Sequence, residues 1–427
     1  MPTKKTLRQV IIGVLSVSFV GKLLQILLAI SIARLLEPEG YGTYALALAL
    51  SYVLVRFTNL GWPVTMNRLL PKFSAENNID AFKGALLSAV CTVSAATAVI
   101  TLGLVAVSKI FDLNQDTRNV VTCVALIMPF LGFRVLLRNL LAAMGSPRRG
   151  LSIEDPIPAA ITLAVTGSLL SQNTSVSPID VALTFGFAGL CSVCIGGFWL
   201  YQQLPEGFTQ ATAKISLKAW LKSSITTMWG QAARMLVNRA DLIMLGALST
   251  LETTGVYAVA LRLCQLLVLP SNAVQTFIAP RISGLTAEND QSGARSLFRL
   301  SLGFALITSA PLALIFWLIS DELVTLTFGV DYAAAGGVVM LLAVSKIFMA
   351  LSNALSSFML MLAREKLFTR LATLSMAINL GLNAVLIPEH GATGAAISTC
   401  VAVFLLCMSQ LWYCRSALLG ANYEHGA

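Results

Sequence analysis

Charge is what this sequence has least of. Only 11% of its 427 residues are Asp, Glu, Lys or Arg, against 56% hydrophobic. A soluble protein needs roughly a quarter of its residues charged to cover its surface. A mean hydropathy of +0.79 therefore excludes an ordinary soluble domain and points to a polytopic membrane protein. Histidine is nearly absent: His390 and His425 are the two present. That excludes a multi-histidine zinc centre, and no metal site is expected. The eight cysteines all fall in apolar runs. Cys191-x-x-Cys194 has a redox or metal spacing, but its flanks, AGLCSVCIGG, hold no histidine or acid. It reads as small apolar packing. Long polar connections are also missing. The largest, 203–218, has 16 residues, too few for a soluble catalytic domain. Acids are scarcer than bases, and the net charge is +9. In a chain this apolar, that excess speaks for loop anchoring and an anionic, membrane-borne substrate rather than nucleic acid.

What is present is a succession of apolar runs. A spanning helix needs about 20 mostly apolar residues. Twelve spans are expected, at 10–34, 41–66, 83–108, 119–144, 152–171, 181–202, 219–248, 254–279, 295–319, 333–362, 367–387 and 392–414. The first begins like a signal peptide, but its apolar run is too long for one and lacks a small-x-small cleavage site, so it reads as a retained helix. Between the spans, eighteen basic residues fall on one side, among them Arg68, Lys72, Arg148, Arg149, Lys218 and Arg364. The opposite side holds Lys109 and Arg118. The positive-inside rule then places both termini in the cytoplasm.

The chain also echoes itself. Gly42-Thr-Tyr44-Ala45-Leu-Ala47 is answered by Gly255-Val-Tyr257-Ala258-Val-Ala260, 213 residues later, each after a short acidic loop. Six spans separate the two copies, so both point the same way. This predicts a parallel repeat: a six-helix bundle over 1–202, a cytoplasmic linker over 203–218 and a second bundle over 219–427, with a pathway between the halves.

The stretch MWGQAARMLVNRADLIMLGAL, Met228 to Leu248, raises a question of cost. A charge at the bilayer centre costs about 2.5–3.5 kcal/mol even on the lenient insertion scale. Yet Gln231, Arg234, Asn238 and Asp241 share one helix face, at spacings of three, four and three, with Arg239 beside them. Other spans repeat the pattern. The first carries Ser18, Lys22 and Gln25; the second Tyr52, Arg56 and Asn59; the fourth Arg134 and Arg138. The eighth carries Arg262, Gln265, Asn272 and Gln275; the tenth Lys346, Asn353 and Ser357. Eight basic side chains thus lie within spans, against one acid, Asp241. Ion pairing cannot neutralise such a set, whereas water and a bound anion can. A hydrated, cationic central cavity follows, lined by Lys22, Arg56, Arg134, Arg234, Arg239, Arg262 and Lys346, with Gln25, Asn59, Gln231, Asn238, Gln265 and Asn353 as polar lining. For Arg138 and Arg34, near helix ends, snorkelling to the headgroups is an equal alternative. Asp241 has two readings: a charge partner for Arg234 or Arg239, or a coupling site for Na+ or H+. Pro63, Pro129, Pro158, Pro270 and Pro311 each remove a backbone hydrogen bond within a span and permit a bend.

Three stretches carry a family resemblance: GKLLQILLAISIARLLEPEGYGTYALA from Gly21, NRADLIMLGALSTLETTGVYAVALRL from Asn238, and NLGLNAVLIPEHGATGAAIS from Asn379. Over nearly its whole length the chain resembles the polysaccharide and O-antigen flippases of the multidrug/oligosaccharidyl-lipid/polysaccharide exporter superfamily. That resemblance implies an all-α fold like that of the multidrug exporters, two six-helix bundles around the cavity with helices one and seven facing it. It implies a bacterial inner-membrane transporter, not an enzyme and without a cofactor. Its substrate would be an undecaprenyl-pyrophosphate-linked oligosaccharide, flipped from the cytoplasmic to the periplasmic leaflet by alternating access. A polysaccharide polymerase and a chain-length regulator are the implied partners. Asp241 matches the acid usual in the second stretch. The rival readings are a peptidoglycan-precursor flippase, whose relatives typically have fourteen helices; a multidrug or cation antiporter, which would call for membrane acids; and a polymerase or ligase, which would need a large periplasmic loop.

Overall fold

The computed structural model describes residues 4–171, 176–287, 290–361 and 364–419. His425 and the last residues of the chain lie outside them. Every regular element described is helical. The helices are α1 (Lys4–Leu35), α2 (Pro38–Thr58), α3 (Trp62–Ala75), α4 (Ile79–Ile110), α5 (Gln115–Ala143), α6 (Pro147–Glu154), α7 (Pro156–Ser171) and α8 (Pro178–Tyr201). There follow α9 (Leu217–Leu248), α10 (Leu251–Cys264), α11 (Leu269–Ala287), α12 (Gln291–Leu318), α13 (Ser320–Phe328), α14 (Ala335–Met361) and α15 (Glu365–Leu419).

By length and composition, nine described helices could cross a membrane, or ten if the bent pair α2 and α3 is one span. The expected twelve exceeds this by two, for identifiable reasons. Helix α9 carries too many charges to pass as an apolar span. Helix α15 is one continuous run of 55 residues, but its backbone breaks at Gly391 (φ 53°, ψ −127°), between the two spans expected there. The second expected span also breaks earlier than Pro63 would dictate. Leu60 (φ 48°) and Gly61 (φ 77°) reverse the backbone, and Pro63 sits in the first turn of α3, where its missing N–H costs nothing. The bend is 46°.

Packing divides the chain into two compact units, Met1–Ile243 and Met244–Ala427. The six-plus-six division at 203–218 follows chain order; by packing, α9 as far as Ile243 goes with the first unit. In that unit α5 is central, against α2, α3, α4, α6 and α8, while α1 lies on α6 and α7. Lipid offers no hydrophobic drive between helices, so close backbone approach matters most. Gly189 of α8 supplies it: a Cβ there would stand 2.6 Å from the Cβ of Phe130. Trp62, Met66, Leu70, Phe82 and Leu140 form a buried core between α3, α4 and α5. In the second unit α14 is central, against α10, α11, α12, α13 and α15, and Phe298 stacks on Phe358 at 3.9 Å between ring centroids. The repeated motif is buried in both units, with Tyr44 on α2 and Tyr257 on α10. The α2–α5 contact of the first unit is matched by α10–α14 in the second.

The linker is not a free strand. Lys83 on α4 donates from Nζ to the carbonyls of Thr209 (3.1 Å) and Ala211 (2.9 Å). Asp80 accepts from the Thr212 amide at 2.9 Å through its carboxylate and from the Lys214 amide at 3.0 Å through its carbonyl. The Lys214 carbonyl lies where a Cβ on residue 84 would be, so only glycine fits there.

Candidate functional site

In the first unit the structure brings together six of the eight intramembrane cations. The anchor is Arg134, on the central helix α5 and 3% exposed. Its Nη2 donates to the Glu154 carbonyl at 2.6 Å, and its guanidinium faces the Phe185 ring at 5.4 Å. Its Nε and Nη1 have no hydrogen-bond partner among the described residues. One turn on, Arg138 pairs with Glu154, Nη1 to Oε2, at 2.6 Å. Arg138 is therefore tied inward by a salt bridge and does not depend on snorkelling.

Arg56 of α2 lies within the electrostatic reach of Glu154, Arg138, Arg234 and Tyr52. Arg239 of α9 stands over the Tyr52 ring at 4.7 Å, a cation–π distance. From α1, Lys22 Nζ lies 3.8 Å from Asp155 Oδ2, and Gln25 donates to Asp155 Oδ1 at 2.6 Å. Lys22 also reaches Gln25 Oε1 at 3.4 Å.

Sequence reasoning missed the two acids at the centre of this arrangement. Glu154 ends α6 and Asp155 follows it as the cap. Both fall in the first turn of the expected span 152–171, and the count of Asp241 as the one intramembrane acid leaves them out. The signal was the pair itself: two adjacent acids before Pro156, at the head of a span, in a loop otherwise basic. Their effect is local neutralisation. The cations face carboxylates, so ion pairing offsets part of the burial cost that the sequence reading assigns to water and a bound anion.

The remaining residues are placed more singly. Asn59 is buried at the α2 break, its Nδ2 donating to the carbonyls of Val55 (3.0 Å) and Gly132 (3.2 Å), which ties α2 to α5. On α9, Arg234 and Asn238 are exposed, and Gln231 and Asp241 are half-buried. In the second unit Arg262 and Gln265 are half-buried at the end of α10. Lys346 is buried, its Nζ 3.7 Å from Met349 Sδ. Asn353 donates to Asn272 Oδ1 at 2.9 Å, joining α14 to α11. Of the additional polar residues, Gln275 is committed to Ser301 Oγ at 2.6 Å.

The chain thus has a two-unit helical membrane fold, with intramembrane cations gathered in its first unit. Solved structures agree on the fold. A multidrug resistance transporter of the MATE family in an inward-facing conformation superposes with a TM-score of 0.76 at 11% identity, covering 96% of this chain and 98% of that one. The lipid II flippase MurJ in an inward closed conformation gives 0.73 at 14% identity, covering 96% and 89%. In sequence, the profile of the polysaccharide biosynthesis protein family matches residues 7–286, and that of the lipid II flippase MurJ matches residues 156–422. The chain belongs to the polysaccharide biosynthesis protein family. A probable low-salt glycan biosynthesis flippase, Agl15 of Haloferax volcanii, is 28% identical over 159 residues, spanning 37% of this chain and about a third (34%) of that protein.

Proposed function

We propose that this chain is a flippase for a lipid-linked oligosaccharide, moving it between membrane leaflets by alternating access. The observation that carries the reading is the gathering of Lys22, Arg56, Arg134, Arg138, Arg234 and Arg239 in one unit, around a buried arginine with two nitrogens lacking a partner among the described residues. A lipid-linked oligosaccharide brings a pyrophosphate, and guanidinium forks suit phosphate oxygens. The exposed Asn238 and the half-buried Gln231 beside Arg234 suit sugar hydroxyls. The family membership and the flippase among its relatives support the same substrate class. In the finer form of the proposal, the carrier is undecaprenyl pyrophosphate and the glycan an O-antigen, capsule or exopolysaccharide repeat unit. The membrane is the cytoplasmic one, with both termini inside and twelve spans. Transport is conformational and makes or breaks no covalent bond, with an Na+ or H+ gradient coupled through Asp241 as its driving force.

A second reading shares the chemistry. The match of residues 156–422 to the MurJ profile favours a peptidoglycan precursor, also carried on a lipid pyrophosphate.

Proteoliposomes test the proposal. A fluorescent lipid-linked oligosaccharide in one leaflet becomes accessible to an external quencher when flipped. Arg134→Met and Arg234→Ala should each slow flipping by at least tenfold while melting temperature in detergent holds. Arg149→Ala, an arginine of the short helix α6 packed over Trp199 at 5.7 Å, should leave the rate unchanged. Wild-type flipping by folded Arg134→Met and Arg234→Ala would defeat the reading. In the same vesicles, Asp241→Asn should flip without responding to an imposed ion gradient; an unchanged response would remove Asp241 from coupling. Supplying a peptidoglycan precursor in place of the oligosaccharide separates the two substrates.

A further inference from the structure

We infer that Glu154 and Asp155 form an internal counter-anion, which holds the cations of the first unit and is displaced by the diphosphate of the substrate. The inference rests on the flippase reading and assigns these two acids a place in its binding step.

The geometry is that of an occupied anion site. Glu154 meets Arg138 through its carboxylate at 2.6 Å and takes Arg134 on its carbonyl at 2.6 Å. Asp155, the next residue, meets Lys22 at 3.8 Å and Gln25 at 2.6 Å. Two negative charges on consecutive residues thus engage cations from α1 and α5 at once, as two linked phosphates would.

Exposure decides which partner a ligand reaches. The acid side chains are 19% and 20% exposed, while Arg138 and Lys22 are 41% and 49% exposed. The cations keep open faces. A guanidinium has five N–H donors and an ammonium three, and one carboxylate cannot use them all. An incoming diphosphate can therefore add to Arg138 and Lys22 from the open side before the acids let go. Arg134, held by the Glu154 carbonyl, is buried with its Nε and Nη1 unpartnered among the described residues, so it supports the site from behind rather than meeting the ligand first. Release then runs in reverse: the acids reclaim the cations and help expel the phosphate. Such an exchange keeps the cations from standing unpaired at any stage, which would be the costly state in a membrane. It also reaches the helix frame. Gly21 of α1 lies against Asp155, where an added Cβ would stand 2.9 Å from that of the acid. Exchange at Lys22 thus loosens the seat of α1.

Binding of inorganic pyrophosphate to the purified, detergent-solubilised protein, by titration calorimetry, provides the test. Wild type should bind it. Glu154→Gln and Asp155→Asn each remove a competing anion and should bind roughly tenfold tighter. Both should also flip the lipid-linked substrate more slowly, because release loses its competitor. Glu154→Asp, which keeps the charge, should return towards wild-type affinity. Glu154→Gln takes the carboxylate partner from Arg138 beside the buried Arg134 and is vulnerable to misfolding; Asp155→Asn, on the more open pair, is the decisive variant. If folded Asp155→Asn binds pyrophosphate equally or more weakly, the acids are ordinary structural partners and the inference fails while the flippase reading stands. If wild type and every variant fail to bind pyrophosphate, the cationic site does not recognise diphosphate, and both fall.

Discussion

At the scale of single residues, the most constrained position outside the cationic cluster is Gly61. Its φ of 77° belongs to the left-handed region, where a side chain is strained. A Cβ there would also meet the Ser224 carbonyl and Thr227 Oγ1 of α9. The same corner is fastened by Ser224 Oγ to Thr65 Oγ1 at 2.7 Å. Gly61→Ala should cost about 1–3 kcal/mol from the backbone alone, with the clash added. A melting temperature in detergent equal to wild type would contradict this. None of this was legible in the sequence, where Pro63 looked like the reason for a bend. Glycine reports a close approach only when its neighbour is known, and that neighbour is more than 160 residues away. The cations were legible for the opposite reason. Arg134 in an apolar run violates a strong rule, and violations stand out. Glu154 and Asp155 were not, because acids beside a proline at a helix boundary obey every local rule. What distinguishes them is the partners that tertiary packing supplies.

At the scale of elements, helix identity followed from apolar length, and helix continuity did not. The expected fifth span is preceded by a separate short helix, α6, and the expected eighth is interrupted by a 3-10 turn over Gln265–Val268 ahead of Pro270. Length and hydropathy register neither: α6 is short and charged like a loop, and the 3-10 turn is as apolar as the helix around it. The linker is a sharper case. Composition gave it no secondary structure, yet its backbone is docked on α4 through groups of Asp80 and Lys83 that pattern alone marks as solvated loop charges. Removal of one tie should be visible locally. Asp80→Ala deletes the acceptor for the Thr212 amide, so hydrogen exchange in a peptide spanning 205–216 should quicken, while helices of the second unit stay as protected as in wild type. Exchange unchanged in that peptide would mean that the remaining ties, Lys83 above all, hold the linker unaided.

At the scale of the whole molecule, the asymmetry of basic loop residues predicts an orientation for the chain, and this can be tested without reference to substrate. Asp321 and Glu322 open α13, both exposed, and Asp331 follows in the same basic-free stretch. On the other side, Arg364, Lys366 and Arg370 surround the start of α15 and are exposed. Helix α14 separates the two regions and is apolar over Ala335–Met359, long enough for one crossing. The two regions should therefore face opposite compartments. In a background with the eight native cysteines replaced, Glu322→Cys should react with a membrane-impermeant thiol reagent added outside intact cells. Where an outer membrane is present, it must first be permeabilised. Lys366→Cys should react only after the cytoplasmic membrane is opened. The substituted positions are exposed, so a lack of labelling cannot be ascribed to burial. Reaction of Lys366→Cys but not Glu322→Cys in intact cells would invert the orientation. It would place the open faces of Lys22 and Arg138 in a molecule running the other way, and the direction proposed for flipping would have to be reversed with it.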